Sequence, residues 1–400
     1  MHIQWTFLSV FKFLQLAAGT PNLGQQPLAD LFSGEWQHQF SHPERDDSSC
    51  VISHLSAFDQ VEGPVTPSLS VTEHPESPKL AALNATAWDQ WEFDGGNLRI
   101  ELYMTLEDGT RIEVMQYIQH SAIIDCAGYV KGIWNSSGHL PGFRVSKDMR
   151  SAKVWWETGR GKGIVTLDSL SPPVLANGLV WPPKEGVRSQ CHATVQLGPG
   201  FYFSQPISGG KMVARVQMDK KTMSITGHGA HARLWAEDGW VNVCYGWHVV
   251  RGYLGPYTIS FVYLFSKLDK WLGEISREAD HVLFRPDFTG NLSGSLADRL
   301  TGRVLEFVSA TSGKTWRFHH AHETKMFEMD CLIEGKGGTG FVTSVQGGEL
   351  GTDERYDGGG FSEQVLLPEI VKNWQIWLIY GYTFARRWKN TVINFLSFNF

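Results

Sequence analysis

Strict two-residue alternation on both sides of an Asp-Gly pair is the feature that most limits the fold. Ile100, Leu102, Met104 and Leu106 alternate with Glu101, Tyr103 and Thr105. Asp108-Gly109 then turns the chain, and Ile112 and Val114 resume the alternation against Arg111 and Glu113. A pleated strand points successive side chains to opposite faces, so this pattern predicts a hairpin with one face buried and one wet. Similar units recur: Val154-Trp155-Trp156 and Ile164 to Leu167 flank Gly159 to Gly163, and Met212 to Met218 and Thr222 to Thr226 flank Asp219-Lys220-Lys221. Hairpins at short intervals, with no amphipathic helices between them, predict antiparallel sandwiches or barrels rather than a parallel sheet crossed by helices. Tyr257 to Phe265 alternates again, Leu268 to Ala279 suits a short helix or an irregular connection, and Gly302 to Met329 reads as strand, Ser-Gly-Lys turn, strand and further strand.

Four hundred residues exceed what one small sandwich needs and suit two packed domains. Only 19% of residues are charged, whereas the chain has 42 Gly, 16 Trp and 23 Phe, which favours short strands, tight turns and rings left over to line a pocket. A net charge of -6 supplies no basic footprint for nucleic acid. Cys50, Cys126, Cys191, Cys244 and Cys331 are far apart and form no Cys-x-x-Cys pair, so neither a zinc knot nor a dense disulfide framework is indicated, and the odd number points to reduced thiols.

The apolar run Trp5 to Gly19 ends in Leu-Ala-Ala-Gly like a signal h-region, yet Lys12 interrupts it and only His2 precedes it as a basic group, which tips localisation toward the cytoplasm over the secretory pathway. Sequons at Asn84, Asn135 and Asn291 matter only in a secreted chain. Thr20 to Ala82, rich in Pro, Ser and His, reads as an extended entry wrapping the first domain. Asn373 to Ala385 is uncharged, but thirteen residues fall short of the about 20 that a helix needs to cross a bilayer, so no stable membrane insertion is expected. That tail reads as a buried terminal element, or as translation past the natural end.

Most familiar chemistries find no support. His320 and His322 of His319-His320-x-His322-Glu323 would share a strand face as two zinc ligands can, but no spacing supplies a third and fourth. Gly159 to Gly163 lacks the Lys-Ser/Thr ending and following helix of a phosphate loop. Neither Gly-x-Ser-x-Gly nor a dinucleotide fingerprint occurs. What stands out is Gly227 to Phe265, where His228, His231, Arg233 and Trp235 gather where a strand would leave a turn. Such a mixture suits either the wall of a concave site or a buried aromatic corner with satisfied histidines.

The run Gly227-x-Gly229-x-His231-x-Arg233-Leu234-Trp235, followed by Val250-Arg251 and Gly255-Pro256-Tyr257-x-x-Ser260, resembles the fungal Diels–Alderase family. These are cofactor-free pericyclases of polyketide and polyketide–amino-acid pathways, distantly similar to hydroxyneurosporene synthases. Ala87-Trp88-Asp89-Gln90-Trp91-Glu92-Phe93-Asp94 resembles the family's signature strand, with Asp89 where relatives tend to have a glutamate facing the pocket, and the likeness extends to Gly360 to Val365. Ala232 replaces the acidic residue usual between the histidine and the arginine, and Asp238 an aromatic.

The resemblance implies a mainly β protein: residues 1–20 as a signal or unordered N-terminus, an N-terminal antiparallel β-sandwich over 21–245, a C-terminal lipocalin-like β-barrel over 246–370, and an atypical tail over 371–400. The site would lie between the domains. It implies an intramolecular [4+2] cyclase that forms a decalin or an isoindolone–macrocycle system from a linear polyketide–amino-acid substrate, with no cofactor and no metal. Asp89 would hold the polar head group and Trp235 would shape the guest, together with Tyr202, Trp240 and Trp247. His231 and Arg233 would either brace Trp235 from behind or donate to a substrate oxygen. Relatives can also place a C-terminal lysine at the substrate carbonyl, for which Lys325 and Lys336 are candidates. Two other readings stand beside this one: an acid-assisted epoxide or alkene cyclase or hydratase, in which Asp89 would donate the proton, and a lipocalin-like carrier of an apolar metabolite.

Overall fold

The computed structural model describes residues 50–367, apart from 57–60, 70–72, 83–87, 92–98, 106–110, 118–119, 136–140, 159–160, 177–179, 183–194, 199, 219–220, 256, 267–283, 287–302, 310–313 and 331–335. In chain order the strands are β1 (Val51–Ser56), β2 (Trp88–Trp91), β3 (Arg99–Thr105), β4 (Arg111–Tyr117), β5 (His120–Asp125), β6 (Tyr129–Asn135), β7 (Gly142–Ser146), β8 (Ser151–Thr158), β9 (Gly161–Ser169), β10 (Val174–Leu175), β11 (Gln196–Gly198), β12 (Phe201–Met218) and β13 (Lys221–Ala236). A four-residue helix, α1 (Trp240–Val243), leads to β14 (Cys244–Leu254), β15 (Tyr257–Ser266), β16 (Phe284–Pro286), β17 (Arg303–Ser309), β18 (Thr315–Asp330), β19 (Gly337–Glu349) and β20 (Tyr356–Leu366). All the described pairings of these strands are antiparallel, and the architecture is the mainly β one implied by the sequence, an N-terminal sheet system followed by a lipocalin-like barrel sheet.

The first sheet runs β1-β5-β6-β7-β8-β9-β12-β13-β2, with β10 and β11 also pairing β12. The second runs β15-β14-β20-β19-β18-β17-β16, and β3 pairs β4 by itself. The three hairpins read from alternation form in register: Thr105 faces Arg111, Thr158 faces Gly161, and Met218 faces Lys221. Leu254 faces Tyr257 across the turn that follows β14; Gly255 has φ +55°, and a Cβ there would lie 2.4 Å from the Tyr356 ring, so glycine is required. The strand and further strand expected after Ser312-Gly313-Lys314 are one strand, β18, offset by bulges at His322/Thr324 and Lys325/Phe327. The readings of 1–20, of Leu268 to Ala279, and of the tail beyond Leu367 fall outside the described residues.

The cysteine reading requires correction. Cys50 and Cys126 form a disulfide, and Cys244 is a buried free thiol. Val51 faces Asp125 in the β1–β5 ladder, so continuing the register by one residue sets the two cysteines opposite each other, with a Cα–Cα distance of 4.2 Å. Seventy-six residues of sequence separation concealed that neighbourhood.

Strand β12 changes character along its length, and this positions the site. From Lys211 to Val216 exposed or half-buried residues alternate with buried Met212, Ala214 and Val216, which join a core with Val130, Phe143, Val145 and Leu167. From Phe201 to Gly210 every residue is buried, as is every residue from His231 to Ala236 of β13. Here both faces of the sheet are covered. On one face, Phe201, Phe203, Ala232 and Leu234 pack with Val249, Val262 and Phe361 of the second sheet. The other face carries the candidate site residues Asp89, Tyr202, Arg233 and Trp235.

Candidate functional site

Register decides which predicted residues meet. Trp235 lies opposite Tyr202 on one side and opposite Asp89 on the other, and Arg233 lies opposite Ser204 and Trp91. By the two-residue period, Asp89, Tyr202, Ser204, His231, Arg233 and Trp235 therefore share a face. Tyr202 stacks on Trp235 with ring centroids 5.9 Å apart, and the pair packs with Leu175, Val195, Leu69 and Trp181. The Tyr202 hydroxyl donates to Glu237 Oε1 at 2.8 Å; burial, then that carboxylate, push its pKa up and keep the phenol protonated.

Trp240 and Trp247 sit elsewhere. Their rings are 4.5 Å apart, Trp240 also meets Phe201 at 4.9 Å, and both tryptophans belong to the core between the two sheets. Phe201 and Tyr202 are neighbours in sequence and so point to opposite faces of β12, which separates the Trp240–Trp247 pair from Trp235 by the thickness of a sheet. The expected set of aromatics is thus two groups.

Beside Trp235, on the same face, lies a buried charged network. His231 Nε2 is 2.8 Å from Glu76 Oε1, and both side chains are fully buried. Arg233 donates to the backbone oxygens of Pro75 and Ser77, at 3.1 and 3.4 Å, and pairs with Asp89 Oδ1. The second Asp89 oxygen accepts the backbone N–H of Lys79 at 2.6 Å. Burial by itself pushes the Glu76 carboxyl up, but the His231 ring, its hydrogen bond and Arg233 outweigh it and hold the group below the usual carboxylate value. These bonds clamp the segment 73–80 across β13 and β2. The segment is tied farther out as well, by Ser77 Oγ to Asp125 at 2.5 Å and by His74 Nε2 with the Lys147 oxygen at 2.7 Å.

Sequence reasoning missed the residues this segment delivers. Lys79 has a side chain only 3% exposed, its Nζ lies 5.6 Å from the centre of the Trp235 ring, and it donates to Glu73 Oε2 at 3.2 Å and to the His74 oxygen at 3.0 Å. Burial pulls its pKa down, with Glu73 opposing. Near Trp235 several buried polar atoms have no hydrogen-bond partner among the described residues: Trp235 Nε1, Trp181 Nε1, Ser204 Oγ and Glu76 Oε2. The only signal in the sequence was a Pro-punctuated charged run, Glu73-His-Pro-Glu-Ser-Pro-Lys79, in a chain poor in charge.

The remaining candidates lie in the second sheet. His320 and His322 share a face as expected, opposite Val345 and Thr343, but His322 stacks on Phe341 at 3.8 Å, and no group of three metal-ligating side chains occurs among the described residues. Lys325 faces Phe341 in the β18–β19 ladder, and Lys336 immediately precedes β19.

Comparison with known proteins places this geometry in context. A model of the Diels-Alderase-like family matches residues 47–96, 95–274 and 271–368. Diels-Alderase mycB of Thermothelomyces thermophilus is 50% identical over 426 aligned residues, covering 95% of this chain and 96% of that protein. Hexane cyclase pydB of Acremonium sp is 34% identical over 397 aligned residues, covering 88% and 90%. The crystal structure of CghA with Sch210972 shares the fold, with a TM-score of 0.62 at 20% identity over 80% of this chain and 100% of that one. Sequence and fold together show that the chain belongs to the Diels-Alderase-like family.

Proposed function

We propose that this protein is an intramolecular [4+2] cyclase that folds a linear polyketide–amino-acid intermediate into a decalin or an isoindolone–macrocycle system. Similarity to Diels-Alderase mycB and to hexane cyclase pydB supports the cyclase activity. The observation that carries the site is the Trp235–Tyr202 stack, with a buried ammonium and unsatisfied donors beside it, on a sheet face where ion pairs lock the segment 73–80 in place. A cycloaddition needs no proton inventory; it needs a flexible chain held so that diene and dienophile meet in one geometry. Prior ordering of this kind contributes several kcal/mol, below the roughly 7–11 kcal/mol available when two separate reactants are joined. A hydrogen bond to the dienophile carbonyl that strengthens in the transition state adds about 1–3 kcal/mol in a dry site.

In this reading Trp235 and Tyr202 form the shaping wall. Asp89, whose two oxygens are already engaged, orients Arg233 and the Lys79 backbone rather than gripping the guest itself. His231 and Arg233 brace the wall from alongside, and Trp240 and Trp247 hold the two domains together, which join between Ala236 and Cys244. An acid-assisted hydratase would need a proton delivered by Asp89, whereas both of its oxygens act as acceptors here. Incubating the linear precursor with purified protein should give one diastereomer in large excess; the ratio seen in buffer alone would overturn the proposal.

A further inference from the structure

The aromatic wall is sealed in this structure. Trp235 is 1% exposed and Tyr202 4%, so neither ring offers a face to a guest until something that covers it moves. Two kinds of cover lie over the pair. Leu175 sits in β10 and Val195 abuts β11, and both strands are paired with β12, so that part of the cover leaves only by breaking a ladder. Segment 73–80 crosses the same face outside any ladder. Among the described residues its backbone-to-backbone bonds are its own turn, Ser77 N–H to the His74 oxygen at 3.0 Å, and Ser68 N–H to the Lys79 oxygen at 2.8 Å. Side chains hold it down otherwise.

The chemistry of those side chains sets what lifting costs. Glu73, His74, Glu76, Ser77 and Lys79 are polar, and Leu80, where the segment ends, is packed into the core of the first sheet. Lifting separates Glu76 from His231, and both regain water as they part. The Lys79–Glu73 pair travels with the segment, and Arg233 and Asp89 stay together because both belong to the sheet. Rupture of a buried pair is expensive when one charge is left behind without solvent, and here none is. The closed arrangement also buries Trp235 Nε1, Ser204 Oγ and Glu76 Oε2 without hydrogen-bond partners among the described residues, a cost that entering water removes.

We propose that segment 73–80 is a polar strap, hinged at Leu80, that lifts from the sheet to admit the guest to the Trp235–Tyr202 wall. That the strap serves a guest rests on the proposed cyclase function; that it lifts does not. Its outer catch lies away from the wall: Ser77 Oγ donates to Asp125 Oδ2 at 2.5 Å at the end of β5, where Asp125 also pairs with Lys147. Covering elements of this kind open to load a site and close to exclude water from it.

The test compares local with global opening in the full-length protein. Glutamyl endopeptidase cuts Glu76–Ser77 only when the strap is off the sheet, and alkylation of Cys244, a buried thiol in the core between the sheets, reports unfolding of the whole. With each rate divided by that of the corresponding free peptide, the cut should run at least tenfold ahead of the alkylation, since cleavage follows the open population. Ser77→Ala should speed the cut by roughly ten- to a hundredfold, the worth of one hydrogen bond to a carboxylate, with Cys244 alkylation unmoved. Ser344→Ala, which removes a like bond to Glu323 in the second sheet, should leave the cut unchanged. Stopped-flow tryptophan fluorescence with 3-decanoyl-5-benzylpyrrolidine-2,4-dione should then show association faster in Ser77→Ala by the same factor as the cut. A cut no faster than Cys244 alkylation overturns the strap, because the segment would leave only with the fold. A faster cut with unchanged association overturns its role as the entrance while leaving the cyclase reading intact, whereas a wild-type protein that does not bind the probe overturns that reading and the entrance with it.

Discussion

Replacing Arg233 by methionine separates a brace from a substrate ligand. The guanidinium is fully buried and joins Asp89 and the backbone oxygens of Pro75 and Ser77. Methionine has comparable bulk but no donor, so the substitution leaves the Asp89 carboxylate, 4% exposed, with a buried charge answered by a single backbone N–H in these contacts. Breaking a buried pair from one side costs about 3–5 kcal/mol, because the surviving charge stays desolvated. For a domain of this size each kcal/mol lowers Tm by about 2–4 °C, so Arg233→Met should melt roughly 6–20 °C lower. Differential scanning calorimetry reads this directly, and cyclisation assayed well below the new Tm should keep the wild-type diastereomer. Arg233→Met/Asp89→Asn, which neutralises both partners while an amide oxygen still accepts the Lys79 N–H, should recover at least half of the loss. A Tm within about 2 °C of wild type together with lost selectivity would refute this reasoning and assign Arg233 to the substrate.

Acid should destabilise the protein in two stages. His74 has a pKa lowered chiefly by burial, although the Lys147 oxygen and the Glu76 and Asp125 carboxylates favour its charge; its contribution is complete above the ordinary value of 6.5 and is lost as pH falls from there. Glu76 is also held below its ordinary value of 4.5, so its contribution is lost at lower pH still; a Tm that rises between pH 7 and 5 would contradict the sign for His74, and one that rises as pH falls from 4.5 the sign for Glu76. Reducing Cys50–Cys126, or replacing Cys126 with alanine, should cost about 2–5 kcal/mol, since the bridge closes a long loop; mass spectrometry of unreduced peptides that finds both thiols free would remove the basis for this. Trp240→Ala should lower Tm by creating a cavity worth about 3–5 kcal/mol between the sheets, with the product ratio retained in the folded fraction; altered stereochemistry would instead return Trp240 to the site.

How much of this was visible in the sequence follows from how local each signal is. The hairpins at 99–117, 151–169 and 201–236 were legible because alternation and turn residues act over a few positions. The meeting of Asp89, Trp235 and Tyr202 came from likeness to a family, and the ladder explains it: β2 and β12 flank β13 with those residues in one row. The placement of Trp240 and Trp247 beside Trp235 failed because proximity in sequence was read as proximity in space, while the chain changes face and direction through α1. Segment 73–80 has no periodicity to betray it, and its partners His231 and Arg233 lie some 155 residues away. Charged groups are buried there because they satisfy one another across that gap, a relation invisible in composition. The disulfide was hidden in the same way, by pairing across a distant ladder.

A crystal structure with the cyclised product bound tests the central claim most directly. The account predicts the polyketide ring system against the Trp235–Tyr202 stack, within van der Waals contact of both rings. A product lodged instead beside Trp240 and Trp247 between the two sheets, with Trp235 and Tyr202 untouched, would contradict it.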